Sequence, residues 1–394
     1  MKVEALTHLG VGRTETGAFV PRVLPGEVLD DDHRILTPSP DRVAPPCRHF
    51  RTCGGCAMQH ARDGFVAEWK QGIVERALRA QGIDAAFAPM HTSPPRSRRR
   101  AKLSGRRTKK GALVGFHARG SDLIVAVPEC QLLRPALMAA LPACEALTVI
   151  AASRKGEVAL TLTDSADGID LLVETDKPLT PQLRLELAGF AQAHDLARLT
   201  WNDETVVTRH PPAQRFGAAQ VVPPPGAFLQ ATAEGETALL ETVSSIVGPA
   251  ARIVDLFAGC GTFALPLAAN AEVAAYEGAP EMIAALDRGW RSATGLKRVS
   301  AQTRDLFRRP LEPDELRGLD AAVIDPPRAG AEAQVAALAR SDVPVIAMVS
   351  CNPVTFARDA AALVAAGYTI GPVTVVDQFR WSAHVEMVAG FTRA

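Results

Sequence analysis

From residue 252 onward the chain alternates apolar runs with helix-patterned segments: RIVDLF, FALPLAAN, VAAYE, PEMIAALDRGW, AAVIDPP, EAQVAALA, VPVIAMVS and TFARDAAALVAAG. Short runs that are apolar on both faces must be covered on both sides, and helices between them provide the cover. The C-terminal part is therefore expected to be α/β, with a doubly wound sheet. Ligands of such sheets bind beyond the carboxyl ends of the strands, so the residues that end each run are the candidates for chemistry.

The rest of the chain reads differently. Its 394 residues exceed what one ordinary core holds and suggest two or three domains. Residues 1–40 are short strand-like pieces broken by Gly and Pro, a small β unit. Phe65, Trp69, Ile73 and Ala77 recur at helical spacing, predicting a helix over 63–82 that stops at Gly82 and packs on the C-terminal domain. Strands dominate up to about 210, including a hairpin whose turn carries Asp167-Gly168. The Pro-rich stretch HPPAQRFGAAQVVPPPGAF marks a boundary. The expected division is 1–40, 41–210 and 211–394.

Composition narrows the function. With 47% hydrophobic residues the chain is globular, and no apolar run reaches the roughly 20 residues of a membrane span. MKVEALTHLG has no basic segment leading into an apolar one, so a cytoplasmic protein without signal peptide is expected. Net charge is zero, yet Ser93–Gly120 holds ten Lys or Arg and no acidic residue. Such a block attracts phosphates whatever the global balance, and its continuation into strand-like ALVGF and DLIVAV points to a folded RNA- or DNA-binding face.

Several strand ends carry reactive groups. Asp255-Leu-Phe257-Ala-Gly259-Cys-Gly261-Thr262-Phe263 follows the first strand, and its glycines allow a tight turn at a helix N-terminus. Glu277 ends the second strand, where a carboxylate can take both hydroxyls of a ribose. A dinucleotide site needs the same features; Asp255 favours S-adenosylmethionine over a nicotinamide. Asp325-Pro326-Pro327-Arg328 ends another strand, the prolines forcing the backbone out of the sheet. Ser350-Cys351-Asn352-Pro353 ends the next.

A thiol beside a methyl donor has a specific use. Carbon 5 of a pyrimidine is a poor nucleophile, but a thiolate adding to carbon 6 creates an enolate that can attack a sulfonium methyl from carbon 5. A base must then remove the carbon 5 proton. Glu386 and His384, at the start of the last strand, are expected on one face by strand alternation.

These motifs, with LPGEVL, GALVGFHARGS, FLQ and HVE, resemble the RNA uridine-5 methyltransferases of the class I, Rossmann-like, S-adenosylmethionine-dependent type, most closely the iron–sulfur branch acting on 23S ribosomal RNA. The resemblance implies a TRAM-like β unit at residues 1–40, a central iron–sulfur and RNA-binding domain at 41–210, and a catalytic domain at 211–394. It implies Cys351 as nucleophile, Glu386 as base, and Gln230, Phe257, Gly259, Gly261, Thr262, Glu277, Asp305 and Asp325 at the cofactor or target base. Two motifs depart from the family: Thr232 stands where an Asn is usual in Phe-x-Gln-x-Asn, and Phe379-Arg-Trp-Ser-Ala383 replaces Phe-Pro-x-Thr-Pro.

Cys47, Cys53, Cys56 and Cys130 form a four-thiol set whose spacing suits zinc or an iron–sulfur cluster. The resemblance selects a [4Fe–4S] cluster in a structural role, leaving Cys144 and Cys260 as ordinary thiols. The implied partner is RNA, 23S ribosomal RNA ahead of transfer RNA, with no membrane association and a monomeric enzyme. A non-enzymatic iron–sulfur RNA-binding protein would not need Cys351 and Glu386 together. An amino-directed methyltransferase would carry an aromatic where Arg328 follows Pro327. A cytosine-5 enzyme would carry its thiol after a proline on the preceding strand.

Overall fold

In the computed structural model, which describes residues 1–153 and 156–393, the alternating segments form a nine-stranded sheet. Its order is Val299–Thr303, Glu272–Glu277, Arg252–Leu256, Ala321–Ile324, Val345–Ser350, Glu386–Thr392, Thr374–Asp377 and His91–Thr92, with Thr369–Ile370 also pairing to Glu386–Thr392. All these neighbours run parallel except Glu386–Thr392, which is antiparallel to its partners. This is the expected doubly wound α/β sheet. Ala321–Ile324 is buried throughout, as two-sided cover by helices requires. Chain order reverses between Arg252–Leu256 and Ala321–Ile324, which opens a crevice at their carboxyl ends.

Two strands of this sheet do not follow from the sequence pattern. Val299–Thr303 reads VSAQT, half polar, because it lies at the sheet edge. His91–Thr92 is two residues long and comes from the N-terminal half, pairing with Val376 and Asp377.

The central region is a seven-stranded sheet backed by the helices Leu141–Ala151 and Pro181–Ala193. Its hairpin joins Glu157–Ser165 to Gly168–Glu174, and Ser165 pairs with Gly168. The turn is therefore Ala166-Asp167, and Gly168 opens the next strand at φ 120°, where a side chain would be strained. At the N-terminus a three-stranded sheet, Val3–Leu6, Val11–Thr14 and Phe19–Pro21, adjoins the pair Val28–Leu29 and Ile35–Thr37. Glu27, fully buried there, accepts from the N–H groups of Leu24 and Ser39 and from Arg42. Its burial is outweighed by these bonds, which hold the carboxyl below its ordinary range.

The helix Asp63–Ala80 buries Trp69 and Ile73, ends before Gly82 at φ 75°, and packs against the helix Pro353–Ala365. It also buries Lys70 completely. Burying a lone ammonium is prohibitive, and Lys70 is paired: Nζ donates to Asp377 at 2.6 Å and to the Phe379 carbonyl at 3.1 Å.

The basic stretch is only partly a surface. Arg99, 5% exposed, donates to the Gln230 carbonyl and pairs with Glu236. Arg98 lies over the Phe379 ring and Arg100 donates to the Gly226 carbonyl. These three arginines link the central sheet to the C-terminal region through Phe379, Gln230, Glu236 and Gly226. Arg96, Lys102, Arg107, Lys109, Lys110 and Arg119 remain exposed. No helix among the described residues is long and apolar enough to cross a membrane.

Candidate active site

A cleft of 640 Å³ occupies the crevice where chain order reverses, and most sequence-predicted residues line it: Gln230, Phe257, Gly259, Thr262, Glu277, Asp305, Asp325, Cys351 and Glu386. Gly261 does not. It turns at φ 96° behind the lining, where an added Cβ would stand 2.8 Å from Leu265 and 3.0 Å from Leu286. Phe257 and Gly259 are also left-handed, at φ 64° and 55°. Such strain in a non-glycine residue is kept where the surroundings demand it.

The turn is fastened by Glu277. Its two oxygens accept from the N–H groups of Gly259 at 3.1 Å and Ala279 at 3.0 Å. Each oxygen keeps a further lone pair free of these bonds. Asp305 accepts from the Phe307 N–H, and the Phe307 ring packs on Phe257 at 5.3 Å between centroids. Phe228, the first residue of the FLQ motif, and Phe307, which no sequence motif singles out, are 63% and 49% exposed and give the cleft aromatic lips.

Asp255 departs from expectation. It lies inside the strand Arg252–Leu256, wholly buried, and does not line the cleft. Among the described residues no donor reaches its carboxylate oxygens in full hydrogen-bond geometry, the Ala264 N–H being the nearby one that acts on its charge. Burial, then the charge of Asp325, holds this carboxyl well above its ordinary range.

The other end of the cleft is assembled from four distant segments. Gln230 donates Nε2–H to Asp325 Oδ2 at 3.2 Å. Gln378, which belongs to no motif, donates Nε2–H to Gln230 Oε1 at 2.5 Å and to Glu386 Oε2 at 3.0 Å. Burial raises the carboxyls of both Asp325 and Glu386, and the charge of Asp325 raises Glu386 further. Cys351, partly exposed, sits beside them. Burial, then the charges of Glu386 and Asp325, pushes its thiol up to about 11, against the opposing charge of Arg328.

His384 is not beside Glu386. The strand starts at Glu386, so alternation does not reach residue 384. The His384 ring is exposed, 3.2 Å from Arg328 and edge-on to Phe379. It lines a second hollow of 550 Å³ that shares Cys351 and Arg328 with the cleft and is walled by Thr7, His8, Leu9 and Arg76. Cys351 is thus open from two sides.

The departures from the usual motifs have structural uses. Thr232 caps the helix Ala233–Val247 through the Gly235 N–H at 3.0 Å and bonds the Ser93 hydroxyl at 2.7 Å. Arg380 reaches Asp63 and the Ser93 carbonyl, while Trp381, left-handed at φ 59°, offers its carbonyl to the N–H groups of Ala57 and Met58.

Those two residues directly follow the cysteine motif. Cys47, Cys53, Cys56 and Cys130 are free and partly exposed. Among the described residues no three His, Cys, Asp or Glu side chains meet as closely as one metal ion requires. The four thiols nevertheless feel one another: Cys56 is pushed up to about 12 by burial and then by the charges of Cys130, Cys53 and Cys47. Gly55 N–H donates to Cys53 Sγ at 3.4 Å.

Comparison with known proteins matches this geometry. The family described as tRNA (Uracil-5-)-methyltransferase matches residues 219–393. An uncharacterized RNA methyltransferase of Mesorhizobium japonicum is 44% identical over 391 residues, covering 96% of this chain and 94% of its own. The 23S rRNA (uracil(1939)-C(5))-methyltransferase of Chromohalobacter salexigens is 33% identical over 431 residues, covering 100% of this chain and 89% of its own. The chain belongs to the RNA uracil-5-methyltransferase family. It is an S-adenosylmethionine-dependent enzyme of that family. Its fold matches that of Pyrococcus abyssi tRNA (uracil-54, C5)-methyltransferase in complex with S-adenosyl-L-homocysteine, with a TM-score of 0.79, 22% identity, and coverage of 99% and 98% of the two chains. At that identity the likeness speaks for the fold.

Proposed function

We propose that this enzyme forms 5-methyluridine in 23S ribosomal RNA, with Cys351 as nucleophile and Glu386 as the base that removes the carbon 5 proton. The observation that carries the reading is that Cys351, Glu386 and Asp325 open into one cleft with the glycine turn and Glu277. The Phe257–Gly259 turn, Glu277 and Asp305 would hold the cofactor, and the apolar and aromatic walls with carboxylates at one end fit a nucleoside bearing an aliphatic cation. S-adenosylmethionine, when bound, supplies an electrophilic methyl group.

The chain's own groups do the rest. Cys351 must first lose its proton, which an ionised carboxylate of the Asp325–Glu386 pair can receive. The thiolate adds to carbon 6 of uracil; the carbon 5–carbon 6 π pair moves onto carbon 5 and the adjoining carbonyl, and carbon 5 takes the methyl. Glu386, ionised for this step, then accepts the carbon 5 proton. The released pair re-forms the ring double bond and expels Cys351 as thiolate. The target base must leave its stack to reach the thiol, and the hollow walled by Thr7–Leu9, Arg76 and His384 gives RNA a path opposite the cofactor.

The choice of 23S ribosomal RNA is supported by likeness to the Chromohalobacter enzyme along the whole chain. A [4Fe–4S] cluster on Cys47, Cys53, Cys56 and Cys130 is supported by the donor chemistry: four thiols, with the Gly55 N–H aimed at Cys53. A cluster spaces its thiolates wider than a single ion does. Its role would be structural, tying the cysteine segment to Trp381 through Ala57 and Met58. We assign residues 1–40 and 41–210 to RNA and cluster binding and 211–394 to catalysis, in a cytoplasmic monomer.

The deciding experiment incubates the enzyme with labelled S-adenosylmethionine and transcripts of 23S and transfer RNA, then maps the product. Label in 5-methyluridine of the 23S transcript is expected, and label only in transfer RNA would overturn the assignment. Iron, acid-labile sulfide and visible absorption in anaerobically purified protein, absent from Cys53→Ser, test the cluster independently of activity.

A further inference from the structure

Gln378 has no role in the chemistry above, yet it bonds the proposed base and the amide that in turn bonds Asp325. It is 2% exposed and makes three hydrogen bonds. Its Oε1 accepts from the Ala231 backbone N–H at 2.7 Å, and Nε2–H donates to Gln230 Oε1 at 2.5 Å and to Glu386 Oε2 at 3.0 Å. A backbone N–H cannot reverse its role, so it fixes which end of the Gln378 amide is oxygen. With that settled, both N–H bonds of Gln378 must point at Gln230 and Glu386. Gln230 must then present its oxygen to Gln378 and its own N–H to Asp325, as its 3.2 Å approach requires. One backbone amide thus orders two side-chain amides and both carboxyls.

We propose that Gln378 is the positioning residue of the proton-removal step: it occupies Oε2 of Glu386, holds the carboxyl plane and leaves Oε1 facing the carbon 5 proton. Among the described residues nothing donates to that second oxygen. The same bond favours the ionised base, opposing the burial that raises it. Gln378 is itself anchored from outside the catalytic region. The preceding Asp377 accepts from Lys70 at 2.6 Å and from the Phe379 N–H at 3.1 Å, and its carbonyl accepts from the Ser93 N–H at 3.0 Å.

The inference rests on Glu386 being the base, and the test separates the two claims. Gln378→Met keeps length and can make none of the three hydrogen bonds; Gln378→Glu keeps shape and an acceptor for Ala231 but has no donor for Glu386. For both, kcat is expected to fall by up to about 100-fold, the scale of a misplaced catalytic group, with KM for RNA and cofactor falling alongside it and kcat/KM unchanged. Methylated RNA covalently attached to protein should accumulate on a denaturing gel, because attack proceeds while proton removal lags. The rising limb of the kcat–pH profile should move to higher pH. Wild-type kcat without adduct in both variants, alongside adduct in Glu386→Gln, would overturn the role of Gln378 alone. Wild-type turnover in Glu386→Gln would overturn the base assignment and this inference with it. Failure of the folded variants, checked by melting, to form adduct at all would place Gln378 at the attack step instead and reject the proposal.

Discussion

The two ends of the cleft are built on different principles. The end proposed to hold the cofactor is local: one strand–turn–helix, Arg252 to Leu267, closed by Glu277 on the neighbouring strand. The end proposed to react gathers Gln230, Asp325, Gln378 and Glu386 from segments up to 156 residues apart, held by a chain of side-chain hydrogen bonds and anchored by Lys70, with Cys351 beside them. Backbone turns tolerate nucleotide cofactors with little side-chain help, whereas a proton transfer needs side chains fixed to fractions of an ångström. Damage at the first end should therefore appear in cofactor affinity, and damage at the second in turnover.

The strongest break in that contrast is Cys351→Ala, which should abolish both turnover and the covalent RNA adduct while leaving cofactor binding intact by calorimetry. Methylation by the folded variant would remove the proposed chemistry. Next, Glu386→Gln should lower kcat by about 10²- to 10⁴-fold, the usual worth of a general base, and trap protein–RNA adduct on a denaturing gel. Lys70→Met leaves Asp377 buried without its cation, which should cost about 3–5 kcal/mol of stability in chemical denaturation; a smaller loss would show that water reaches the site. Gly261→Ala forces a Cβ against Leu265 in a left-handed turn, costing about 1–3 kcal/mol. It should raise KM for S-adenosylmethionine, with KM for RNA unchanged.

A subtler comparison uses pH. Nearby carboxylates disfavour the Cys351 thiolate, so adduct formation should accelerate from neutral to alkaline pH. Removing the Glu386 charge lowers the thiol's pKa, so in Glu386→Gln the rise should move to lower pH. An unmoved profile would mean that the two groups do not interact. The smallest effect concerns RNA: replacing exposed Arg107, Lys109 and Lys110 by Ala should reduce the log–log salt slope of binding by about 0.7 for each phosphate left unneutralised.

How much of this is legible in the sequence follows from what each residue depends on. Phe257 and Gly259 are readable because the turn they make is written in adjacent residues, and Glu277 because it ends the next strand. Cys351 and Asp325 are readable as strand ends. Gln378 is not: its neighbours DQF suggest nothing, and its partners lie 147, 148 and 8 residues away. Arg98, Arg99 and Arg100 look like phosphate ligands because charge alone is visible in a sequence, while the Phe379 ring that Arg98 covers and the carbonyls and carboxylate that Arg99 and Arg100 meet belong to another region. Strand alternation sets His384 beside Glu386 only if the strand extends that far, which the turn at Trp381 and the late start of the strand prevent.

The sequence by itself determined the alternating sheet, the position of its crevice and the identities of the thiol and carboxylates, because periodicity and strand ends are properties of neighbouring residues. Only the tertiary structure decided which carboxyl receives a hydrogen bond, which arginines turn inward, and that a helix from the N-terminal half buries Lys70 against the catalytic sheet. Those outcomes depend on distances between segments far apart in the chain, and burial, which gives each interaction its strength, exists only once the segments have packed.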